Sequence, residues 1–248
     1  MKLDPKTIRA YCSDPVTIRL YESIDSTNNE AKRRADPGVC LYATTHQTAG
    51  RGRRGHSFYS PKDTGLYMTL SLPLSASTAN VQKITCAAAV AVCEAVSSLS
   101  GIDPQIKWVN DIYVDGKKAA GILTELVSDS DNRPRAVIIG IGMNLCTERF
   151  PEEFAANAGN IGDIEVNTLC GTVTAKLIDC YAHLDDNSII EKYKERSFCI
   201  GKTVRYSKDN VTHTAKAVNI DDDGGLIVEE SGTLTTLNSG EISMIPIG

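Results

Sequence analysis

Residues 47–55, Gln-Thr-Ala-Gly-Arg-Gly-Arg-Arg-Gly, combine three glycines with three arginines. Glycine allows backbone N–H groups to approach an anion closely. Arginine carries a permanent positive charge and forked donors that match phosphate or carboxylate. Because like charges this close together repel one another, an anionic ligand is the simplest reason for the cluster. A solvated basic loop, or a fragment of an arginine-glycine tail that binds RNA, is the alternative for this stretch alone.

A lysine within an apolar segment is the second candidate for chemistry. Lys107 lies in residues 106–114, Ile-Lys-Trp-Val-Asn-Asp-Ile-Tyr-Val, which have the composition of a buried strand. An ammonium group among apolar side chains is costly unless it faces an anion, so one interpretation is a ligand carboxylate or phosphate. The alternatives are that Lys107 extends its charged end to solvent or pairs with Asp111.

Two further polar stretches lie where elements begin or end. Residues 26–28, Ser-Thr-Asn, open a predicted helix, and Thr27 with Glu30 fits a capping box. A helix N-terminus also attracts anionic groups, so a capping role and a ligand role can coexist. Residues 140–144, Gly-Ile-Gly-Met-Asn, end a predicted strand, where glycines indicate a close approach to a ligand or to neighbouring backbone. Asn144 also suits an ordinary turn.

The composition is that of an ordinary water-soluble protein, with 248 residues, 42% hydrophobic and 23% charged. The net charge of −5 makes the basic loop a local feature, which favours a small anionic ligand over nucleic acid. No apolar run approaches the roughly 20 residues needed to cross a membrane, and the charged N-terminus is unlike a signal peptide. With eight scattered cysteines and no Cys-x-x-Cys pair, we expect a cytoplasmic protein with reduced thiols and no metal-binding residues.

Periodic patterns predict the elements that must position these residues. Strands are predicted over 16–21, 39–45, 66–72, 106–114, 119–126 and 135–141, with an Asp-Gly hairpin turn at 115–116. Helices are predicted from 26, over 80–99, 167–184 and 188–199. After Gly201 come short strands separated by turns, at 203–206, 211–220, 226–228, 234–237 and 243–247, which suit a small antiparallel barrel. We therefore expect two domains, 1–198 and 199–248.

Four stretches in this order, at 25–28, 47–55, 107–111 and 140–144, together with the barrel-like tail, resemble the biotin–protein ligases, or biotin–[acetyl-CoA-carboxylase] ligases. The resemblance covers the chain from about residue 16, and the basic loop and the Lys-Trp segment are its most specific parts. It implies an α+β fold: a mixed sheet with helices similar to the class II aminoacyl-tRNA synthetase core, followed by an SH3-like barrel. The chain resembles the short type, which lacks the DNA-binding domain of ligases that are also repressors. One departure is Val109, where the family commonly has proline.

The resemblance also implies site residues. Catalytic roles fall on Lys107 and Arg53. The biotin-binding residues implied are Ser26, Thr27, Asn28, Gln47, Arg51, Gly52, Arg53 and Lys107. Those implied for ATP and the adenylate are Gly50, Arg51, Arg53, Arg54 and Asn144.

The activity implied by the resemblance is a two-step ligation, in which biotin reacts with ATP and the biotinyl group then passes to a lysine of a biotin carboxyl carrier protein. Mg²⁺ would accompany ATP, and the enzyme would be a monomer or a homodimer. The absence of a convincing Cys–His or Ser–His constellation agrees with a reaction that needs no covalent enzyme intermediate. A lipoate–protein ligase of the same architecture is the alternative enzyme, and a nucleic-acid-binding module that uses the arginine loop is the non-enzymatic alternative.

Overall fold

Seven strands form the larger sheet of the computed structural model, which describes residues 1–74, 80–128, 131, 133–209 and 211–245. In chain order they are β1 (Thr17–Tyr21), β2 (Cys40–Thr44), β3 (Gly65–Pro73), β4 (Gln105–Lys107), β5 (Asp111–Val114), β6 (Lys117–Ser128) and β7 (Pro134–Asn144). Their spatial order is β1-β2-β3-β7-β6-β5-β4, with β1 parallel to β2 and the other neighbours antiparallel. The sheet is therefore mixed, as predicted.

Helices cover both faces of this sheet. They are α1 (Pro5–Arg9), α2 (Thr27–Arg34), α3 (Val81–Ser100), α4 (Glu152–Ala155), α5 (Val166–Ala182) and α6 (Ser188–Arg196). In β2 the side chains of Cys40 and Tyr42 cluster with Ala31 of α2, whereas Leu41 and Ala43 belong to the main core that includes α3. Because successive strand residues point to opposite faces, α2 lies on one face of the sheet and α3 on the other.

Helix α3 is the centre of the main core. By length and composition it could cross a membrane, but 67% of its most apolar stretch is buried inside the protein. It packs against α5, α6 and strand β6. This burial explains why its sequence is apolar on nearly every face, and it identifies α3 as a core helix.

The C-terminal part forms a separate sheet of five antiparallel strands. These are β8 (Thr203–Lys208), β9 (Val211–Ile220), β10 (Leu226–Glu230), β11 (Thr233–Leu237) and β12 (Ile242–Met244), in the order β11-β10-β9-β8-β12. The loop before β10 meets the larger domain, where Gly224 O accepts hydrogen bonds from Gln82 and from the Trp108 indole. The α+β prediction is confirmed: a large mixed sheet with helices precedes a small antiparallel sheet.

Two features of the N-terminal part differ from what the sequence indicated. The first 15 residues, for which no helix or strand was predicted, contain α1, whose Ile8 is fully buried. Asp4 caps this helix by accepting from Thr7 N at 2.7 Å, and one turn is too short to show a periodic pattern. Helix α2 is capped by Ser26 rather than Thr27, because Thr27 is already its first helical residue.

Several boundaries also differ from prediction. The strand expected over 106–114 is two short strands, β4 and β5, joined by a turn, so that Lys107 ends a strand instead of lying within one. Asp115 and Gly116 both have positive φ and form the predicted hairpin turn between β5 and β6. Helix α6 ends at Arg196, whereas it was predicted to continue to residue 199. The last strand covers Ile242–Met244, whereas it was predicted over 243–247, and residues 246 and 247 lie outside the described part.

Candidate active site

A cavity of about 340 Å³ lies over the sheet, within the size range of small-molecule sites, ~300–1,000 Å³. It is enclosed by the N-terminus of α2, residues 51–53 and 56–58, strands β4 to β7 and residues 240–243. Four cationic side chains and two carboxylates line it: Arg51, Arg53, Lys107, Lys118, Asp111 and Glu241. The excess of positive charge favours an anionic ligand.

Most of the predicted site residues meet at this cavity. The eight predicted biotin-binding residues all line it: Ser26, Thr27, Asn28, Gln47, Arg51, Gly52, Arg53 and Lys107. Asn144 lines a neighbouring cavity instead. Gly50 and Arg54 line neither of the two cavities, and the Arg54 side chain is exposed.

A buried polar network surrounds the start of α2. Ser26 Oγ accepts from Asn29 N at 3.5 Å, which caps the helix. Gln47 Oε1 accepts from both the backbone N–H and the hydroxyl of Thr27, at 2.9 and 3.2 Å, and Gln47 Nε2 donates to Ser60 Oγ at 3.2 Å. These bonds hold the amide and hydroxyl groups of the pocket wall in fixed orientations before any ligand binds.

Both ends of the Asn28 side-chain amide are held by hydrogen bonds. Its Oδ1 accepts from Thr69 Oγ1 at 2.6 Å, and its Nδ2 donates to Leu123 O at 3.3 Å and to Glu125 Oε2 at 3.0 Å. Burial alone would raise the pKa of Glu125, but hydrogen bonds from Lys32 and Asn28 outweigh burial and the pKa lies below its ordinary value. Glu125 is thus an anion that fixes the Asn28 amide.

A glycine on β7 makes room for this asparagine. A Cβ atom at Gly140 would lie 2.0 Å from Asn28 Oδ1, closer than any real contact. The sequence predicted a close approach of a ligand or of neighbouring backbone near residue 140. The group that lies against Gly140 is the Asn28 side chain.

The glycine-arginine loop folds back on itself as a narrow turn. Gly50 O accepts from Phe58 N at 2.9 Å, and Gly52 N donates to His56 O at 2.7 Å. A Cβ atom at Gly50 would lie 2.4 Å from Phe58 O, so this position requires glycine. The loop backbone is held near the cavity by its own hydrogen bonds, with a 3₁₀ turn over Arg53–Gly55.

Two arginines of this loop face the cavity and differ in their partners. Arg51 Nη1 donates to Asn29 Oδ1 at 2.9 Å, and Arg51 Nη2 lies 3.9 Å from Glu125 Oε1. Arg53 Nη1 donates to Asn110 Oδ1 at 3.1 Å and to Gly240 O at 3.2 Å. Burial lowers the pKa of Arg53, but an arginine remains protonated in proteins. Within the described residues Arg53 forms no ion pair, so its half-buried charge has neutral partners only.

Lys107 is the second cation without a counterion. It is half-buried at the end of β4, and its ammonium group has no hydrogen bond or ion pair to any residue of the described ranges. Asp111 lies opposite Lys107 in the β4–β5 register, but its Oδ1 is 2.7 Å from Lys118 Nζ. The predicted alternative of a Lys107–Asp111 ion pair is therefore not formed.

The residues after Lys107 are anchored to the C-terminal part of the chain. Trp108 is buried, and its Nε1 donates to Gly224 O at 2.9 Å. The Trp108–Val109 peptide bond is cis, and Val109 O accepts from the buried Tyr193 hydroxyl at 3.0 Å. Burial raises the pKa of Tyr193 well above its ordinary value, so the phenol is a neutral donor. These bonds fix the backbone that carries Lys107.

A second cavity of about 150 Å³ adjoins the first and shares Ser57, Phe58, Lys118 and Phe154 with it. Tyr59 and Phe150 meet edge to face at its rim, with ring centroids 6.5 Å apart. Asn144 Nδ2 donates to Gly159 O at 3.1 Å, but the buried Asn144 Oδ1 has no hydrogen-bond partner among the described residues. A pocket with aromatic walls suits a flat heterocycle.

Among the described residues no group of three or more His, Cys, Asp or Glu side chains could hold a metal ion. The carboxylates at the larger cavity are Asp111 and Glu241.

Several cavity residues were missed by the sequence analysis. Phe58 lies against Gly142, where an added Cβ would be 2.6 Å from its ring, and Phe154 comes from the short helix α4. Lys118 follows the Asp-Gly turn, and Gly240 and Glu241 come from the C-terminal part. The turn was a signal that the chain reverses near Lys118, but no local pattern indicated that residues 240 and 241 reach the site.

Comparisons with known protein families match most of the chain. The model described as the biotin/lipoate A/B protein ligase family matches residues 20–144. The model described as the biotin protein ligase C-terminal domain matches residues 199–244. The first match includes the glycine-arginine loop at 47–55 and Lys107. The second match includes the five-stranded sheet and Gly240.

Named relatives and solved structures are similar over nearly the full chain. A bifunctional ligase/repressor of Bacillus spizizenii is 32% identical, over 91% of this chain and 72% of that protein. The biotin–[acetyl-CoA-carboxylase] ligase of Mycobacterium tuberculosis is 28% identical, over 88% of this chain and 85% of that protein. The biotin protein ligase of Aquifex aeolicus, solved in complex with biotin and ATP, superposes with a TM-score of 0.80 at 25% identity, covering 92% of this chain and 98% of that one.

Proposed function

Because the chain belongs to the biotin/lipoate A/B protein ligase family, we propose that it is an ATP-dependent biotin–protein ligase. It activates biotin as biotinyl-5′-adenylate and transfers the biotinyl group to one lysine of a biotin carboxyl carrier protein. The curated relative of Mycobacterium tuberculosis is named as a ligase for acetyl-CoA carboxylase, and a carrier of that class is the acceptor we propose here.

The observation that carries this proposal is the pair of uncompensated cations at one cavity. Arg53 and Lys107 are half-buried and line the larger cavity, and neither has an ion pair within the described residues. A buried charge of this kind is stabilised when an anion binds. A ligand that brings a carboxylate and a phosphate together supplies the missing partners.

In the first step the carboxylate oxygen of biotin attacks the α-phosphorus of ATP. The new bond joins carboxylate to phosphate, and the bond to the β-phosphate breaks, so that pyrophosphate leaves. Lys107 and Arg53 lower the repulsion between the two anions and stabilise the charge that develops on the phosphate oxygens. The polar groups around α2 hold biotin in the orientation for this attack.

In the second step a lysine amine of the carrier attacks the acyl carbon of the mixed anhydride. The amide forms, AMP leaves and the amine loses a proton, so that no enzyme nucleophile takes part. No cysteine lines either cavity. The Cys86 and Cys170 thiols are fully buried, which raises the pKa of both well above the ordinary value and leaves them protonated.

The adenine of ATP is assigned to the smaller cavity. Its aromatic walls suit a purine, and Asn144 lies in its wall. Mg²⁺, bound through Asp111 or Glu241 together with the triphosphate, would supply further neutralisation of phosphate charge. The eight free cysteines, six of them buried, support a reducing compartment, and we place the enzyme in the cytoplasm.

The test compares two acids with one protein. The purified chain is incubated with ATP, a carrier domain, and either biotin or lipoate, and AMP release is followed together with the mass of the carrier. We expect AMP release and a biotinyl mass increase with biotin alone. Release driven by lipoate would assign the chain to the lipoate ligases. A salt-dependent shift of RNA without pyrophosphate release would support the nucleic-acid-binding alternative.

A methyl group at residue 140 should disable the pocket. In Gly140→Ala the new Cβ displaces Asn28 and leaves its buried partners unpaired, which costs about 1–3 kcal/mol. At about 1.4 kcal/mol per decade, biotin should bind about tenfold more weakly or worse by calorimetry. If the collision with Asn28 is the cause, Asn28→Ala/Gly140→Ala should bind no worse than Asn28→Ala alone. A further loss in the double variant would contradict this explanation.

The C-terminal part should be needed for turnover. Residues 240–243 line the larger cavity, and Gly240 O accepts from Arg53. We therefore expect a chain that ends at Cys199 to lose most activity, measured as carrier biotinylation. Because this truncation also exposes the surroundings of Trp108, a second chain that ends at Ser239 keeps four of the five strands. Full activity of the chain that ends at Cys199, once folded, would show that the C-terminal part is dispensable, and full activity of the chain that ends at Ser239 would show that residues 240–248 are.

A further inference from the structure

We propose that Glu125 is a positioning residue that couples closure of the glycine-arginine loop to binding of biotin. Its carboxylate joins Asn28, in the wall of the larger cavity, to Arg51 of the loop. Glu125 itself lines neither cavity, so it acts on the ligand through these two side chains. The inference rests on the proposed function, because it takes biotin as the ligand that lies against Asn28.

The position of Glu125 follows from the alternation of side chains along β6. Successive strand residues point to opposite faces of a sheet, so Gly121, Leu123 and Glu125 share one face. The first two line the larger cavity. Val127, the next residue on this face, packs against the cluster that contains Ala31 of α2. The Glu125 carboxylate therefore lies just beyond the cavity wall, between β6 and α2, with 22% of its side chain exposed.

Three donors share the two oxygens of this carboxylate. Oε2 accepts from Asn28 Nδ2 at 3.0 Å, whereas Oε1 lies 2.7 Å from Lys32 Nζ and 3.9 Å from Arg51 Nη2. An ionised carboxylate accepts at both oxygens, but an amide of the same shape has one oxygen and one NH₂ group. A glutamine in place of Glu125 would set its NH₂ group against a donor. The arrangement therefore requires a carboxylate.

In the cavity wall, this carboxylate determines which way the Asn28 amide faces. Asn28 Nδ2 donates to Leu123 O and to Glu125, and Asn28 Oδ1 accepts from the Thr69 hydroxyl. Because both groups at Nδ2 are acceptors, the amide cannot turn over without placing its own oxygen against them. Glu125 thus orients a polar group of the wall against which biotin binds.

In the loop, the same carboxylate helps to hold Arg51 against α2. Arg51 Nη1 donates to Asn29 Oδ1 at 2.9 Å, and Glu125 lies on the other side of the guanidinium. The Arg51 side chain is 42% exposed, so solvent weakens its attraction to Glu125. A closed loop and an ordered wall are therefore favoured together by a modest amount. Coupling of this kind is reciprocal, so biotin should favour the closed loop as much as the closed loop favours biotin.

The test replaces Glu125 with glutamine and measures the wall and the loop separately, in the full chain without ATP. Calorimetry gives the affinity for biotin. Trypsin cleavage after Arg51, Arg53 and Arg54, followed by mass spectrometry, reports opening of the loop. In Glu125→Gln we expect biotin to bind about tenfold more weakly, through the loss of a hydrogen bond to a charged group. At saturating biotin we expect the loop to be cut about threefold faster than in wild type.

Glu94→Gln is the matched control for the loss of a carboxylate. Glu94 is also partly exposed and also pairs with two cations, Lys176 and Lys192, but it lines neither cavity. The same substitution there should leave both readouts at the wild-type value.

Two further variants separate the three partners of Glu125. Lys32→Met removes the ion pair to α2 and leaves Asn28 and Arg51 in place, so at pH 8 biotin should bind within about twofold of wild type. Arg51→Ala/Glu125→Gln completes a double-mutant cycle with the two single variants. Because the two residues act on the loop through one contact, the effects on loop cleavage should be less than additive.

Several results would overturn the proposal. Wild-type affinity for biotin in Glu125→Gln would show that Glu125 does not position the wall. Full protection of the loop at saturating biotin, or additive effects in the cycle, would show that Glu125 does not couple the loop to the ligand. A loss in Lys32→Met as large as in Glu125→Gln would assign the carboxylate a structural role. If the wild-type chain binds no biotin, the proposed function itself has failed, and this outcome is distinct from the others.

Discussion

Replacing Lys107 with alanine should reduce adenylate formation by about tenfold to a hundredfold or more, with the fold unchanged. The ammonium group has no counterion among the described residues and faces the cavity where carboxylate and α-phosphate must meet. A charge-assisted hydrogen bond of this kind contributes about 1.5–3 kcal/mol, and each 1.4 kcal/mol is about one decade in rate or binding. Pyrophosphate release from biotin and ATP, measured without carrier, reports this step directly.

The matched control for Lys107 is Lys6→Ala. Lys6 is exposed on α1 and lines neither cavity, so the same loss of charge there should leave pyrophosphate release unchanged. Thermal unfolding of both variants checks that the fold is intact. Near-normal pyrophosphate release by Lys107→Ala would show that this lysine is not the catalytic cation.

Replacing Arg53 with glycine should affect retention of the adenylate more than its formation. Arg53 connects the glycine-arginine loop to Asn110, near Lys107, and to Gly240 of the C-terminal part. Without this connection the loop should open more readily, because a glycine-rich loop is costly to order. The variant should still consume biotin and ATP but release an activated acyl phosphate that labels unrelated lysines. The measurements are the adenylate off-rate and a biotin blot with excess bystander protein.

Arg54→Gly is the comparison for this effect, since it makes the same charge change one residue later. Its side chain is exposed and lines neither cavity, so retention should stay close to wild type. We expect the off-rate to rise about tenfold or more in Arg53→Gly, corresponding to the loss of one or two hydrogen bonds to the guanidinium. An off-rate equal to wild type, with labelling confined to the carrier, would show that Arg53 does not retain the adenylate.

The sequence predicted site residues best where charged residues stand in surroundings that are unusual for them. Clustered arginines among glycines, and a lysine next to a buried tryptophan, predicted cations at a ligand site. Arg51, Arg53 and Lys107 do line one cavity. The resemblance to biotin–protein ligases is confirmed by the family matches. The roles assigned to individual residues remain proposals for the experiments above.

What could not be predicted depends on contacts between distant parts of the chain. Lys118 meets Asp111 across a hairpin, and Arg53 reaches Gly240, 187 residues further along the chain. The sequence indicated that residues near Gly140 would be crowded, but not that Asn28 would occupy the space. Short elements such as α1 and β4 were missed or merged, because three to five residues are too few to show a period.

The central claim is that biotin and ATP meet beneath the glycine-arginine loop, and a crystal structure of the chain grown with both substrates tests it most directly. The account predicts density for biotinyl-5′-adenylate under residues 50–55, with its acyl-phosphate group at Lys107 and Arg53 and its adenine beside Asn144. Density for the adenylate at another site, or an empty cavity in a crystal whose protein has consumed biotin and ATP, would contradict it.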